Sequence, residues 1–315
     1  MPAVISHYLL AARVLKSLEK TEHLHIENHP AFMLGASGPD IFFGHRVMPW
    51  QKGKSLSKVS HIMHASGASG MLNLMAEYAR ISGDTVAKSY VYGFATHYAF
   101  DSAAHPYIVG RSDAWAMGRK ADIGVFSRIH PKVSDGLQLS SIYHNLLEAE
   151  LDSVYLMRER HIPIRFFRMT NAFPLSDDIV ESCADPLCAY IEASGIYSKP
   201  DRDEIIRAFY DWKRCVWLLG DRLTLKKALM RRAEKILGLP PSVSVFFRSC
   251  HIDYNRDCAN LSHNSWYSPS DGNMHNETFF ELADKAHDRS IELIKKLDSG
   301  TALVRSDCRD SFSGY

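Results

Sequence analysis

One apolar segment of the chain carries three ionisable side chains at intervals of four residues. In residues 90–107, YVYGFATHYAFDSAAHPY, these are His97, Asp101 and His105. Positions four residues apart lie along one stripe of an α-helix, and the flanking residues are apolar, so we predict a buried helix over about 84–104. A buried carboxylate flanked by imidazoles needs a charged partner, because an unpaired buried charge is costly. A divalent metal ion is the simplest such partner.

A second segment, YHNLLEAELD at residues 143–152, repeats this pattern. His144 and Glu148 are four residues apart, and Asp152 follows one turn later. Imidazole and carboxylate together are an apt ligand set for zinc. Each pair alone is weak evidence, since with 16 histidines and 36 acidic residues about two such pairs arise by chance. A third pair, His23 and Glu27, is interpreted as one of those.

Helical periodicity dominates the chain and predicts an all-α fold. Helices are expected at about 4–20, 58–82, 84–104, 141–160, 175–195, 201–218, 222–237 and 276–297. Pro106 disfavours the helical conformation at His105, so we expect the central helix to end there. Strand signals are limited to short runs such as residues 243–247. We predict one domain over 1–315, with a metal-site core at 1–160, a helical extension at 161–298 and a frayed tail at 299–315.

Charge and composition narrow the partners and the compartment. The net charge is +1, from 37 basic and 36 acidic residues, so electrostatics gives no case for nucleic acid as a partner. No apolar run reaches the roughly 20 residues of a membrane span. The N-terminal segment lacks a basic start and a cleavage site, so we expect a cytoplasmic protein that begins at Met1 or Pro2. We expect its six cysteines to be free thiols.

The candidate ligands also occur in a characteristic order along the chain. That order is His7, Asp40, His64, His97, Asp101, His105, His144 and Glu148. In this order, and in the stretches GPDIFF, HYAFDSAAHPY and YHNLLEAELD, residues 1–155 resemble the zinc-dependent phospholipase C family, in particular its bacterial branch. The wider superfamily includes single-strand-specific zinc nucleases. The resemblance implies a helical domain that binds two or three zinc ions.

The resemblance also implies which residues hold each ion. The implied ligands of the first zinc ion are Asp40, His64, His97 and Asp101. Those of the second are His105, His144 and Glu148. Those of the third are His7, a bridging Asp101 and the mature N-terminal residue, which would be Pro2 if Met1 is removed. His61 lies one turn before His64 and is an alternative ligand.

The implied activity is hydrolysis of a phosphodiester by zinc-activated water. Asp40 is the candidate that orients or deprotonates this water, and the alternative is that Asp40 only caps a turn. The expected substrate is a phospholipid or another phosphodiester. A single-strand nuclease or phosphatase of the same superfamily, and a non-catalytic metal-binding protein, remain alternatives.

A basic helical face in the C-terminal half indicates a possible contact with membranes. Its residues are Arg222, Lys226, Lys227, Arg231, Arg232 and Lys235. Such a face can contact anionic lipid headgroups during peripheral membrane binding. The alternative is that the face is simply solvated.

Overall fold

The all-α prediction is confirmed. The computed structural model describes residues 3–118, 136–196, 201–248 and 257–308, together with Phe312. The described residues form one short antiparallel strand pair, β1 (Trp266–Tyr267) with β2 (Met274–His275), and eleven α-helices. The helices are α1 (Val4–Lys20), α2 (His29–Gly35), α3 (Ser57–Ala65), α4 (Ala68–Ser82), α5 (Thr85–Gly118), α6 (Gly136–Arg160), α7 (Met169–Ala172), α8 (Asp177–Ala193), α9 (Arg202–Leu219), α10 (Leu225–Ile236) and α11 (Phe279–Asp298).

Helix α5 is the centre of the fold and packs against α1, α2, α4, α6, α8 and α11. The prediction that it ends at His105 is wrong, because the helix runs 34 residues, to Gly118, through Pro106. Pro106 and the following Tyr107 and Ile108 are buried. Burial of such residues offsets the roughly 3 kcal/mol that an internal proline costs a helix. This one long helix therefore carries His97, Asp101 and His105 through the core.

Close packing of α2 on α5 brings the following loop to His97. A Cβ on Gly93 of α5 would overlap the backbone carbonyl of Phe32 in α2. The two glycine-lined backbones therefore approach more closely than larger residues would allow. The chain then continues into a 3₁₀ helix, Gly38–Gly44. This short helix carries Asp40.

Two other local predictions differ from the structure. The single helix expected over 58–82 is divided at Ser66 and Gly67 into α3 and α4. The apolar run at 243–247, considered as a strand, contains the 3₁₀ helix Ser244–Phe246.

A frayed tail was predicted after Ser299, and the described part of this segment contains both exposed and buried residues. Asn73 of α4 accepts a hydrogen bond from the Leu303 amide and donates one to the Leu303 carbonyl, both 2.8 Å long. Cys308 and Phe312 are buried. The described cysteines, 183, 188, 215, 258 and 308, are free thiols, as expected. None of the described helices is both long and apolar enough to cross a membrane.

Candidate metal centre

Side chains from five elements converge on one pocket beside α5. His7 comes from α1, Asp40 from the 3₁₀ helix and His64 from α3. His97, Asp101 and His105 come from α5, and α6 supplies His144 and Glu148. The structure thus brings together all eight predicted ligands that lie in its described residues. Pro2, the ninth, lies outside them.

The eight side chains form three groups, each of which could hold a metal ion. The groups are His7, His97 and Asp101; Asp40, His64 and His97; and His105, His144 and Glu148. Within each group the potential ligand atoms lie within 4.8 Å of one another. The first two groups share His97. His105 of the third group lies 3.6 Å from Asp101 of the first, so the three positions are adjacent.

Asp101 lies at the junction of the groups and uses its two oxygens differently. Its Oδ1 is 3.0 Å from His7 Nε2. Its Oδ2 is 3.2 Å from His97 Nε2, 3.5 Å from His64 Nε2 and 3.6 Å from His105 Nδ1. The carboxylate therefore faces two of the groups at once, which is the arrangement a bridging ligand needs.

Backbone carbonyls orient three of the imidazoles. His97 Nδ1 donates to the Ala36 carbonyl at 3.1 Å, and His64 Nδ1 donates to the Ser60 carbonyl at 2.8 Å. His105 Nδ1 donates to the Phe312 carbonyl at 2.5 Å. A carbonyl only accepts, so Nδ1 carries a proton in each case, and Nε2 is the nitrogen that would bind a metal ion once any proton on it is displaced. This is the usual way in which a protein prepares a histidine to bind a metal.

The spacing between Nε2 atoms and carboxylate oxygens fits a shared ion. His64 Nε2 is 3.4 Å from Asp40 Oδ1, and Glu148 Oε1 is 3.4 Å from His105 Nε2 and 3.3 Å from His144 Nε2. Zinc holds nitrogen and oxygen ligands at about 2.1 Å in tetrahedral geometry, which places two ligands about 3.4 Å apart. These distances suit two ligands of one ion better than a direct hydrogen bond.

One buried atom would gain a partner from a metal ion. His97 is fully buried, and its Nε2, although 3.2 Å from Asp101 Oδ2, makes no hydrogen bond of acceptable geometry with the described residues. A buried polar atom without a partner costs free energy unless something unobserved satisfies it. A nearby void of about 10 Å³, bordered by His7, Asp101, His105 and Glu148, is about the size of one small ion or water molecule. The donor set and the space both fit zinc.

The protonation equilibria show how strongly the pocket favours added positive charge. Burial alone would lower the pKa of His64, but hydrogen bonds to Asp101 and Asp40 raise this pKa to about 10. Burial would also lower the pKa of His105, but the charges of Asp101 and Glu148 outweigh it and raise this pKa to about 9. In the metal-free pocket these imidazoles hold protons at neutral pH. Metal ions would displace those protons and neutralise the same carboxylates.

The sequence left open whether His61 or His64 is the metal ligand, and the two side chains lie in different surroundings. His64 faces Asp40 and Asp101, whereas His61 is exposed and packs its ring on Phe43. His64 is therefore the better candidate ligand. Asp152, in the second histidine segment, belongs to none of the three groups.

Asp152 instead fixes the start of α1. Its Oδ1 accepts hydrogen bonds from the backbone amide and the hydroxyl of Ser6, both at 2.7 Å. Its Oδ2 pairs with Arg248, whose Nη2 is 2.6 Å away. All three residues are buried. Because Ser6 precedes His7, this network positions His7 against Asp101.

Phe312 is the residue of the centre that sequence reasoning missed. Besides binding His105, it lays its ring against Tyr98, His64 and His97, with centroids 4.9, 5.6 and 6.1 Å apart. A backbone carbonyl has no side-chain signature, and this contact joins residues 207 positions apart. No pattern in the sequence could have indicated it.

Fold and site together define an all-α protein whose helices carry three groups able to hold metal ions. A profile of the family described as zinc dependent phospholipase C matches residues 6–197. This match covers more than half of the chain, so the protein belongs to the zinc-dependent phospholipase C family. The matched span contains every described candidate ligand from His7 to Glu148. No curated protein and no solved structure matches the chain.

Proposed function

We propose that this protein is a zinc-dependent phosphodiesterase of phospholipase C type. The observation that carries the proposal is the convergence of five imidazole Nε2 atoms on three carboxylates beside one buried helix. A structural ion pair would need fewer groups. Membership in a family of zinc-dependent hydrolases supports the same conclusion.

The proposed ligand assignment follows the three groups and places Asp101 between two ions. The first zinc ion is assigned to Asp40, His64, His97 and Asp101. The second is assigned to His105, His144 and Glu148, which leaves a position open for water or substrate. The third is assigned to His7 and Asp101 with Pro2. This site depends on the removal of Met1, and retention of Met1 in an intact mass would contradict it.

Asp40 is proposed as the residue that handles the proton of the attacking water. Its side chain is 15% exposed, whereas those of Asp101 and Glu148 are 5% exposed, so Asp40 is the carboxylate most open to solvent. Neighbouring charge, including that of His64, outweighs burial and keeps the pKa of Asp40 below its usual range. The carboxylate is therefore ionised, and an oxygen that does not bind zinc could accept a hydrogen bond from water.

The reaction then needs few other groups from the protein. Bound zinc ions supply an acidified water and neutralise the charge that develops on the phosphoryl oxygens. The water oxygen forms a new bond to phosphorus, and the ester oxygen leaves as an alcohol. Asp40 orients the water through its carboxylate and takes up its proton, which then passes to the leaving oxygen. The products are a phosphomonoester and an alcohol.

Metal counting and hydrolysis together test this proposal. We expect two or three zinc ions per chain by elemental analysis, and zinc-dependent hydrolysis of a chromogenic phosphodiester and a phosphocholine ester. Asp101→Asn should lose at least one bound zinc ion and reduce hydrolysis to background. Asp178→Asn, an exposed carboxylate at the start of α8, is the matched control. A full zinc complement without hydrolysis of either ester or of single-stranded DNA would favour a non-catalytic metal-binding protein.

We extend the proposal to peripheral contact with an anionic lipid surface through α10. This helix is turned outward: its one buried residue is Glu234, which accepts hydrogen bonds from the amides of Val243 and Ser244. Its exposed residues include Leu225, Leu229 and Ile236, which lie on one helical stripe with exposed fractions of 65, 71 and 75%.

Basic residues surround that apolar stripe. The exposed ones are Arg222, Lys226, Arg231, Arg232 and Lys235, as the predicted basic face requires. An apolar stripe bordered by cations is complementary to a bilayer with anionic headgroups. Such a contact would deliver a membrane-bound phosphodiester to the enzyme.

A further inference from the structure

An apolar cleft of about 430 Å³ opens beside the metal centre. Phe43, Val47 and Met48 form one wall, and Leu218, Leu219 and Phe246 form the other. Val47 is 48% exposed, so the cleft is open to solvent. Its volume lies within the range of small-molecule binding sites.

The cleft forms where the 3₁₀ helix Gly38–Gly44 packs on α9. A Cβ on Gly44 would overlap the Trp212 backbone, so only glycine allows this close approach. At the same junction the Cys215 thiol donates to the Gly44 carbonyl at 3.6 Å. Both contacts join the ligand-bearing first half of the chain to α9, which follows the residues matched by the family profile. The cleft is thus a product of the C-terminal half of this chain.

Two of its residues connect the cleft directly to the metal centre. The Phe43 ring is stacked on that of His64, with centroids 5.8 Å apart and planes inclined by 26°. Phe43 also lies one helical turn after Asp40. On the other side, Asn145 borders the cleft and directly follows His144 on α6. A ligand in the cleft therefore lies next to two of the three groups.

The chemistry of the lining favours a hydrocarbon occupant. Among the described residues that line the cleft, Asn145 is the only one with a strongly polar side chain, and none is charged. Burial raises the pKa of the Cys215 thiol to about 11, so this side chain is neutral as well. A nucleoside would need hydrogen-bond partners and a second phosphate would need cations. The described lining has one strongly polar side chain and no cation, so it suits neither a nucleoside nor a second phosphate.

We propose that this cleft binds a hydrocarbon chain of a lipid phosphodiester whose phosphate lies at the metal centre. This inference rests on the proposed phosphodiesterase activity and adds to it a site for the hydrocarbon chain, formed in part by α9, outside the residues that the family profile matches. The Phe43 ring marks the boundary between the polar and the apolar parts of the bound molecule. Each methylene group that enters the cleft contributes to binding by leaving water.

A series of soluble phosphodiesters tests the inference. The substrates are p-nitrophenyl phosphodiesters with ethyl, butyl, hexyl or octyl chains, used below their aggregation concentrations. We expect kcat/KM to rise about fourfold for each methylene until the cleft is filled. Leu218→Asn and Val47→Asn should each reduce the ratio of octyl to ethyl kcat/KM at least tenfold. Ile81→Asn, on the exposed face of α4, is the matched control and should keep the wild-type ratio.

A binding measurement separates failure of the cleft from failure of the activity. Titration of zinc-stripped protein with butyl, hexyl and octyl phosphate should show the same rise in affinity with chain length, reduced by Leu218→Asn. If the esters are hydrolysed but the ratio of octyl to ethyl kcat/KM is near one, the proposal for the cleft is wrong and the proposed phosphodiesterase activity still stands. If no ester is hydrolysed, the activity fails, and chain-length-dependent binding alone decides the cleft. If the wild-type protein dimerises, Leu218→Asn abolishes the dimer and chain length has no effect, the proposal is wrong and the cleft binds a second copy of the chain.

Discussion

The backbone carbonyl of Phe312 accepts a hydrogen bond of 2.5 Å from His105 Nδ1, 207 residues earlier in the chain. This bond places a proton on His105 Nδ1, so Nε2, which faces Glu148, is the nitrogen that would bind a metal ion. The Phe312 ring is fully buried against Tyr98 and His64. The C-terminal tail is thus part of the metal centre.

Removal of the tail should weaken metal binding at the His105 group. For a chain that ends at Cys308, we expect zinc affinity there to fall by about 10- to 100-fold, the usual cost of losing such a hydrogen bond. Competition with a chromogenic chelator measures this affinity.

Two variants separate the carbonyl from the rest of the tail. A chain that ends at Ser313 keeps Phe312 and should bind zinc normally. Phe312→Leu keeps the carbonyl and an apolar side chain, so its affinity should stay within a few-fold of wild type. Equal zinc affinity in the chains that end at 308 and 313 would show that the carbonyl has no part in metal binding.

Gly38 should be intolerant of any side chain, because it faces His97. Its φ is +50°, and a Cβ there would overlap the imidazole ring. Gly38→Ala should therefore lower the free energy of unfolding by about 3 kcal/mol or more, from left-handed strain plus the clash. Gly83→Ala is the matched control, since Gly83 has φ +67° and open space around it, and should cost about 1 kcal/mol.

Urea denaturation of the two alanine variants gives this comparison. The difference between them isolates the contact with His97 from the backbone strain. Zinc content should decrease only in Gly38→Ala, because a displaced His97 withdraws a proposed ligand from two groups. Similar unfolding free energies for the two variants would mean that the loop moves away easily and does not constrain the site.

Helical spacing explains how much of the site the sequence could predict. His97, Asp101 and His105 share a stripe on α5 because residues four apart always do, and the same rule relates His144 to Glu148. This rule predicts that the residues share one face of the helix, but it does not predict what that face contacts. Asp152 continues the α6 series at the same spacing, yet its side chain contacts Ser6 and Arg248 instead of the metal groups.

Long-range packing accounts for what the sequence could not predict. Local preference at Pro106 indicated a helix end, but burial of Tyr107 and Ile108 keeps the helix intact. The apolar stripe of α10 and the position of Phe312 depend on elements distant in the chain. Propensity and periodicity carry no information on such contacts.

The buried pair of Asp152 and Arg248 should be sensitive to the loss of one partner. Asp152→Asn leaves the Arg248 guanidinium buried without its counter-charge, which should lower the free energy of unfolding by about 3–5 kcal/mol. Asp152→Asn combined with Arg248→Met removes both charges and should recover part of this loss. Glu77→Gln, which breaks an exposed pair with Arg80, should leave the urea midpoint unchanged. A single Asp152→Asn variant as stable as wild type would contradict this role.

His45 should make stability depend on pH below neutrality. It is fully buried, and its Nδ1 accepts a hydrogen bond from the Leu56 amide at 3.0 Å. Burial lowers the pKa of His45 below 6.5, although Glu204 and Asp211 oppose the shift. The unfolded chain therefore binds more protons just below pH 6.5, and the free energy of unfolding falls as the pH decreases through this value. The protonation of one group changes the free energy of unfolding by at most about 1.4 kcal/mol per pH unit.

Comparison with His45→Asn isolates this contribution, because every other titrating group is retained. Asparagine keeps an acceptor near the Leu56 amide. Unfolding by urea at pH 7.5 and at pH 5.5 should show a larger decrease for wild type than for the variant. Equal decreases would assign the pH dependence to other groups.

Binding of the protein to vesicles should depend on both the leucines and the cations of α10. We expect co-sedimentation with vesicles that contain phosphatidylserine, little with pure phosphatidylcholine, and a loss of binding as salt rises. Lys235→Gln should weaken binding about fivefold, since one basic residue near an anionic surface contributes about 1 kcal/mol. Leu229→Asn should weaken it as well, by removing an inserted side chain, whereas Lys16→Gln on α1 should not. Binding that responds to neither α10 variant would place any membrane contact elsewhere on the protein.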